Sequence, residues 1–316
     1  MSNSRQDRPK VDRDIAVFRD RLAAATAEHG PPPQTLDDRR SLAEKVRAPW
    51  VEGGPQMART VDIPRSGARP PCRLYLPTEE EGRPLLIYIH GGGWTLFSIE
   101  THDRLMREYA ARSGLAVLGP DYSLSPEVRY PVAIEELAAT LDWARGEGRK
   151  NFGFDGRIVV GGDSAGANLA IGTALRERDA GRDDIAGLLL NYGAFDPKPR
   201  ASWQVFGGPE YNLTADEMAD FWTNYLGDLA PGDAPYALPL DASLTALPPV
   251  HMCVAGGDIL AEENREMASA LRAAGVRVDL AEYPTAIHSF LEAVSISDVA
   301  DRALQTAADW MRRLFD

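Results

Sequence analysis

The chain has little of several things, and each shortage excludes something. Its 316 residues include two cysteines, Cys72 and Cys253, too few for a disulfide framework. Each lies in an apolar, strand-like stretch, where a buried free thiol is the expected state. Apolar runs such as "LLIYI" at 85–89 are strand-sized and far too short to span a bilayer. The polar opening at 1–14 has no apolar core of the signal-peptide kind, so a cytoplasmic, reducing setting is the default expectation. Basic residues number 34 against 47 acidic ones, a net charge of −13, which argues against nucleic acid or an anionic membrane as partner. G-x-x-x-x-G-K-[ST], a Rossmann glycine fingerprint after the first strand and H-E-x-x-H are all missing, so neither cofactor nor metal is expected.

What remains is the composition of a globular chain with a full core, 44% hydrophobic and 26% charged. The first fifty residues read as helical, broken by "GPPPQ" at 30–34. Ile15, Phe18 and Leu22 fall on one helical face, and a second short helix from Leu36 to Val46 is stopped by Pro49. Then strands begin to alternate with helices. The strand candidates are 58–63, 69–76, 85–89, 116–118, 158–160, 187–190, 250–255 and 277–282. Helices are expected at 102–112, 131–145, 165–178, 262–274 and 297–315. Continuous apolar strands between amphipathic helices predict an α/β fold with a mostly parallel, eight-stranded sheet covered on both faces. The first two strands, joined by "PRSG" at 64–67, read as an antiparallel hairpin.

Residues 194–248 interrupt the alternation. Thr214 and Glu217 form a capping box for a helix over 215–226, and the segment is rich in aromatics. An ordered insertion of this length is usually functional. Residues 1–55 are expected to form a helical cap with 194–248, over the edge of a catalytic domain spanning 56–316.

The sharpest signal is "VVGGDSAGANLA" at 159–170. Ser164 lies between a strand and a helix, within G-x-S-x-G, the pattern of a nucleophile elbow. A glycine turn with an idle serine is the bland alternative. A serine hydroxyl needs a base, and a base needs orienting. Of five histidines, His29 is in the proline-rich break, His102 belongs to a helix start, and His251 sits inside a strand as a core residue. His288 follows the last strand in a loop, at the same sheet edge as Ser164. Asp258 closes the preceding strand after two glycines; its alternative role is capping the next helix. The chain order Ser164, Asp258, His288 is that of a Ser-Asp-His hydrolase triad.

Acyl transfer also needs donors for an oxyanion. "HGGGW" at 90–94 follows the third strand, which makes Gly91 and Gly92 candidates, with the N–H of Ala165 as the third. His90 reads as a brace for this loop. Trp94, Phe97, Trp203, Phe206, Tyr211 and Phe221 are candidate pocket walls, with plain packing as their alternative.

Taken together, "HGGGW" at 90–94, "DYSLSPE" at 121–127, "GDSAGANL" at 162–169, "DILAEEN" at 258–264 and "IHSF" at 287–290 resemble the hormone-sensitive-lipase-like esterases of the α/β-hydrolase superfamily. The resemblance covers roughly residues 55–316. It implies an α/β-hydrolase fold with a helical cap and hydrolysis of short-chain carboxylic esters without a cofactor, by a monomer or homodimer. It assigns Ser164, Asp258 and His288 as triad and Gly91, Gly92 and Ala165 as oxyanion donors. The family pattern D-Y-R-L-A-P-E is broken by Ser123 and Ser125, so an arginine brace for that loop is missing, and no proline follows Tyr192. Other acyl hydrolases, acting on amides, carbamates or formamides, share the same triad. A catalytically silent ligand receptor would be expected to lose a triad member.

Overall fold

The computed structural model describes residues 10–316; of the expected cap segment, residues 1–9 lie outside them. Two helices open the described chain, α1 (Arg13–Glu28) and α2 (Leu36–Val51). Eight strands follow: β1 (Arg59–Ile63), β2 (Cys72–Leu76), β3 (Arg83–Ile89), β4 (Ala116–Pro120), β5 (Phe154–Asp163), β6 (Ile185–Asn191), β7 (Val250–Ala255) and β8 (Val278–Tyr283). They form one sheet in the order β1-β2-β4-β3-β5-β6-β7-β8. The β1–β2 and β2–β4 pairs are antiparallel and all others parallel.

The central strands are buried on both faces, and residue parity divides them between two cores. Leu85, Ile87 and Ile89 of β3 join one core, with Ile158 and Val160 of β5 and Leu188 and Leu190 of β6. Leu86, Tyr88, Val159 and Leu189 point into the other. The first core is closed by α4 (Val132–Trp143), α6 (Ala165–Asp179) and α9 (Ala261–Ala273), with the one-turn α5 (Arg149–Phe152) leading into β5. The second is closed by α3 (Asp103–Ser113) and α10 (Asp298–Phe315). Both cysteines are buried and unpaired, and burial pushes the Cys72 thiol up to about 11.

The inserted segment contains α7 (Ala201–Phe206) and α8 (Ala215–Leu226), the latter with the expected capping box. It stands with α1 and α2 around one cavity.

Two expectations need correction. Pro49 does not stop α2, which continues to Val51. Proline forfeits one backbone bond near the helix end, but the Trp50 ring packs edge-on against Phe18, centroids 4.6 Å apart, and holds that turn in register. Nor is the loop at 121–127 left without a brace. Arg65, from the β1–β2 turn, lies 3.0 Å from Oε1 of buried Glu136, which also accepts from the Ser123 backbone N–H and hydroxyl. Arg40 of α2 donates to the carbonyls of Thr95 and Ser125 and pairs with Glu127.

Arg65→Ala should therefore lower stability by about 1 kcal/mol, modest because the arginine is half exposed. Urea denaturation beside the parent chain checks this; an unchanged midpoint would mean that Ser123 alone suffices for Glu136.

Candidate active site

Ser164 occupies the one-residue turn between β5 and α6, with φ +55° and ψ −119°. A side-chain-bearing residue held there costs of order 1–3 kcal/mol, so the surroundings must enforce it. They do so by close backbone contact. The Ser164 N–H donates to the Asn191 carbonyl at 2.9 Å. Gly162 and Gly166 pack directly on the Ile89 carbonyl of β3, and a Cβ on either would collide with it. The two glycines are therefore the condition for β3 and α6 to meet at the serine.

Asp258 and His288 arrive from the next strands. After β7 the chain passes Gly256 and Gly257, and Asp258 turns back on itself, its Oδ1 accepting the Leu260 N–H at 2.9 Å. Its Oδ2 lies 2.6 Å from Nδ1 of His288. A carboxylate only accepts, so Nδ1 carries the proton and Nε2 keeps its lone pair. That lone pair faces the Ser164 Oγ at 3.0 Å. Asp258 thus meets the local turn and His288 with different oxygens. The ring of Tyr192 meets His288 edge-on at 5.2 Å, and Asn212 of the insertion donates to the His288 carbonyl at 3.0 Å. Burial disfavours the His288 cation, but the carboxylates of Asp258, Asp163 and Glu292 outweigh it and raise the pKa above 6.5.

The glycine loop differs from expectation by one residue. Gly92 and Gly93 border the cavity beside Ser164, and Gly91 does not. Gly91 is instead pressed by its backbone against the Asp163 carboxylate, with its N–H turned toward the His102 ring. Among the described residues, the N–H groups of Gly92, Gly93 and Ala165 have no acceptor. For Ala165 the reason is general: the first N–H of a helix has no intrahelical partner.

His90 is a brace, its ring stacked on Tyr122 at 4.4 Å and its Nδ1 2.8 Å from the Gly91 carbonyl. Burial, reinforced by nearby His102, pushes its pKa down to about 3. His251 is buried in β7 against Trp310, with Nδ1 3.5 Å from Asp279.

The sequence reading overlooked a second buried His–Asp pair. His102, at the start of α3, lies 3.3 Å from Asp163, the residue just before the serine, and Tyr88 donates to the same carboxylate at 3.0 Å. Burial opposes both charges, yet their mutual attraction wins: the pKa of His102 rises and that of Asp163 falls. The only hint in the sequence was an aspartate inside G-D-S-A-G, a position open to many residues.

A cavity of about 570 Å³ opens above Ser164 and His288. Of the aromatic candidates, Phe97 and Phe221 line it, whereas Trp94, Trp203, Phe206 and Tyr211 do not. Trp94 stacks on Tyr225, planes 3° apart, Trp203 is buried in the core, and Phe206 meets Tyr211 in an edge-to-face pair. Aromatic content marked the insertion as a packed unit without saying which rings face inward. The other walls are aliphatic, such as Leu22, Leu42, Val46 and Met218, with arginines from α1 and α2.

Fold and site together define an α/β-hydrolase. Residues 86–292 match the alpha/beta hydrolase fold family, and the chain belongs to it. Within that family it is one of the hormone-sensitive-lipase-like esterases. It is similar to the hyperthermophilic esterase of the archaeon Pyrobaculum calidifontis, with 33% identity over 97% of this chain and 99% of that one, TM-score 0.87. It is also similar to an ester hydrolase from the Lake Arreo metagenome, solved with a bipyridine phosphonate derivative (31%, 96% and 99%, TM-score 0.88). A thermostable esterase of Pseudomonas putida matches at 30% identity over 100% and 99% of the two chains, TM-score 0.87.

Removing one partner of a buried ion pair is strongly destabilising. Asp163→Ala should cost about 3–5 kcal/mol by removing the carboxylate that stabilises the buried His102 charge, read as a lower denaturation midpoint at pH 6. The loss should shrink as the pH rises through the raised His102 pKa, where the histidine becomes neutral. A loss independent of pH would show that the His102 charge is not involved.

Proposed function

We propose that the protein is a serine carboxylesterase that cleaves short-chain esters of small molecules through Ser164, His288 and Asp258. The observation that carries this reading is the unbroken line from Ser164 Oγ to His288 Nε2, 3.0 Å, and from Nδ1 to Asp258, 2.6 Å, at the floor of the cavity. His288 takes the serine proton as Oγ attacks the ester carbonyl. Asp258 keeps the proton on Nδ1 and stabilises the imidazolium. The carbonyl oxygen, now an oxyanion, is received by the N–H groups of Gly92, Gly93 and Ala165, which supports assigning the hole to these rather than to Gly91. His288 then protonates the departing alcohol, and water repeats the cycle on the acyl-enzyme.

The described part of the 1–55 segment, residues 10–55, acts with 194–248 as the cap. Support for a short acyl group comes from the rings of Phe97 and Phe221, which line the same cavity as Ser164. The unpaired, buried thiols suit a cytoplasmic setting.

On p-nitrophenyl acetate, butyrate, octanoate and palmitate, the two short esters should be cleaved fastest. Ser164→Ala should lose on the order of 10⁴- to 10⁶-fold in kcat. A variant that keeps its activity would remove Ser164 from the chemistry. The base works only when neutral, and its pKa is raised, so the acid limb of kcat/KM should have its midpoint above pH 6.5. A midpoint below 6.5 would mean that the carboxylates around His288 do not outweigh its burial.

A further inference from the structure

The α2 wall of the cavity carries a pattern that ester hydrolysis does not use. Arg39, Leu42, Ala43, Val46 and Arg47 all border the cavity. They lie at i, i+3, i+4, i+7 and i+8, one face of the helix, so an apolar stripe is bounded by an arginine at each end, the two backbone positions roughly 12 Å apart along the axis.

Neither guanidinium is fully engaged. Arg47 has Nε 2.9 Å from Glu292 and lies over the Phe97 ring, 3.9 Å from its centroid. Among the described residues its Nη1 and Nη2 have no hydrogen-bond partner. Arg39 lies over the Phe221 ring at 5.2 Å and has one polar contact, a 3.5 Å approach of Nη2 to Glu217. The other oxygen of Glu217 is committed to Thr214. Arg19 makes the contrast clear. It also borders the cavity, but Nε and Nη2 bind Asp20 and Nη1 binds the Glu210 carbonyl.

A guanidinium has five donors in a rigid fork. Arg39 and Arg47 each approach one carboxylate of the protein and lie over one ring, which leaves N–H donors for a ligand. A planar anion with two acceptor oxygens matches such donors. Aliphatic walls lower the local dielectric and strengthen the attraction. In a chain of net charge −13, an anion is repelled at long range, so a cavity bordered by three arginines and one glutamate is a local reversal of sign.

We propose that this cavity selects carboxylic esters that carry a second, ionised carboxylate in the acyl or the alcohol part, held by the N–H donors of Arg39 or Arg47. The inference rests on the esterase reading above and names its substrate class. The product would be a dicarboxylate or a hydroxy acid, according to which part carries the charge.

The test compares esters of the same carbon skeleton by pH-stat: monoethyl glutarate against ethyl pentanoate, and 4-acetoxybutanoate against butyl acetate. The charged member of at least one pair should have a kcat/KM about 10- to 100-fold higher. That ratio should collapse in Arg39→Gln or Arg47→Gln. Because both esters of a pair meet the same variant, partial misfolding cancels from the ratio. If Arg47→Gln fails to fold, with buried Glu292 left unpaired, Arg39→Gln and the wild-type ratio still decide. Preference for the neutral member in both pairs, or a ratio that survives in each variant that folds, overturns the proposal. Failure of the esterase reading has a different signature, no cleavage of any of the four esters. Calorimetric titration of Ser164→Ala with monoethyl glutarate then decides: binding lost in the arginine variants supports the anion site, and no binding overturns it.

Discussion

The contact between the Ile89 carbonyl and the two glycines of the serine turn is the constraint on which the rest of the site depends. Because nothing projects from Gly162 or Gly166, the end of β3 can lie against the start of α6. That approach places the loop after β3 beside the serine, where Gly92 and Gly93 face the cavity. It also forces Ser164 into a strained backbone conformation that lifts its side chain out of the turn. The strain is sustained because strands on both sides bury the turn, β3 packing on it directly and β6 accepting the Ser164 N–H at Asn191.

Electrostatics supplies the second layer of order. Two histidine–aspartate pairs flank the Ser164 turn. One, His288 with Asp258, opens onto the cavity; the other, His102 with Asp163, is sealed behind the glycine loop. Asp163 raises the pKa of both histidines, and so does Glu292, which is itself held against Arg47. The cavity wall, the histidine facing the serine and the loop support therefore share one set of buried charges. Burial alone would have left both histidines neutral; the carboxylates reverse that preference.

Of the helices around the cavity, α8 joins the first core through Met218, Trp222 and Tyr225, whereas α2 is tied to the sheet by arginines. Arg40 reaches from α2 to the backbone of both the glycine loop and the 121–127 loop. Arg107 of α3 donates to the carbonyls of Val51, at the end of α2, and of Gly53 and Pro55 just beyond it. These bonds fix α2 against the site, so the face carrying Arg39 and Arg47 has a defined orientation toward the serine.

The sequence by itself determined the fold class, the order of the eight strands along the chain, the Ser164 turn and which histidine and aspartate stand in line with it. These are local matters: strand burial shows in apolar runs, the turn in its glycines, and the other two residues in their position just after strands. Sequence could not say which glycine N–H faces the cavity, because Gly91, Gly92 and Gly93 are chemically identical and only packing against Asp163 and His102 separates them. It could not say which aromatics line the cavity, since facing inward or outward depends on how separate segments meet. It expected a missing brace where Arg65 and Arg40 supply one from distant parts of the chain. The His102–Asp163 pair stayed hidden for the same reason: its partners stand 61 residues apart and meet only when β3, α3 and β5 are assembled.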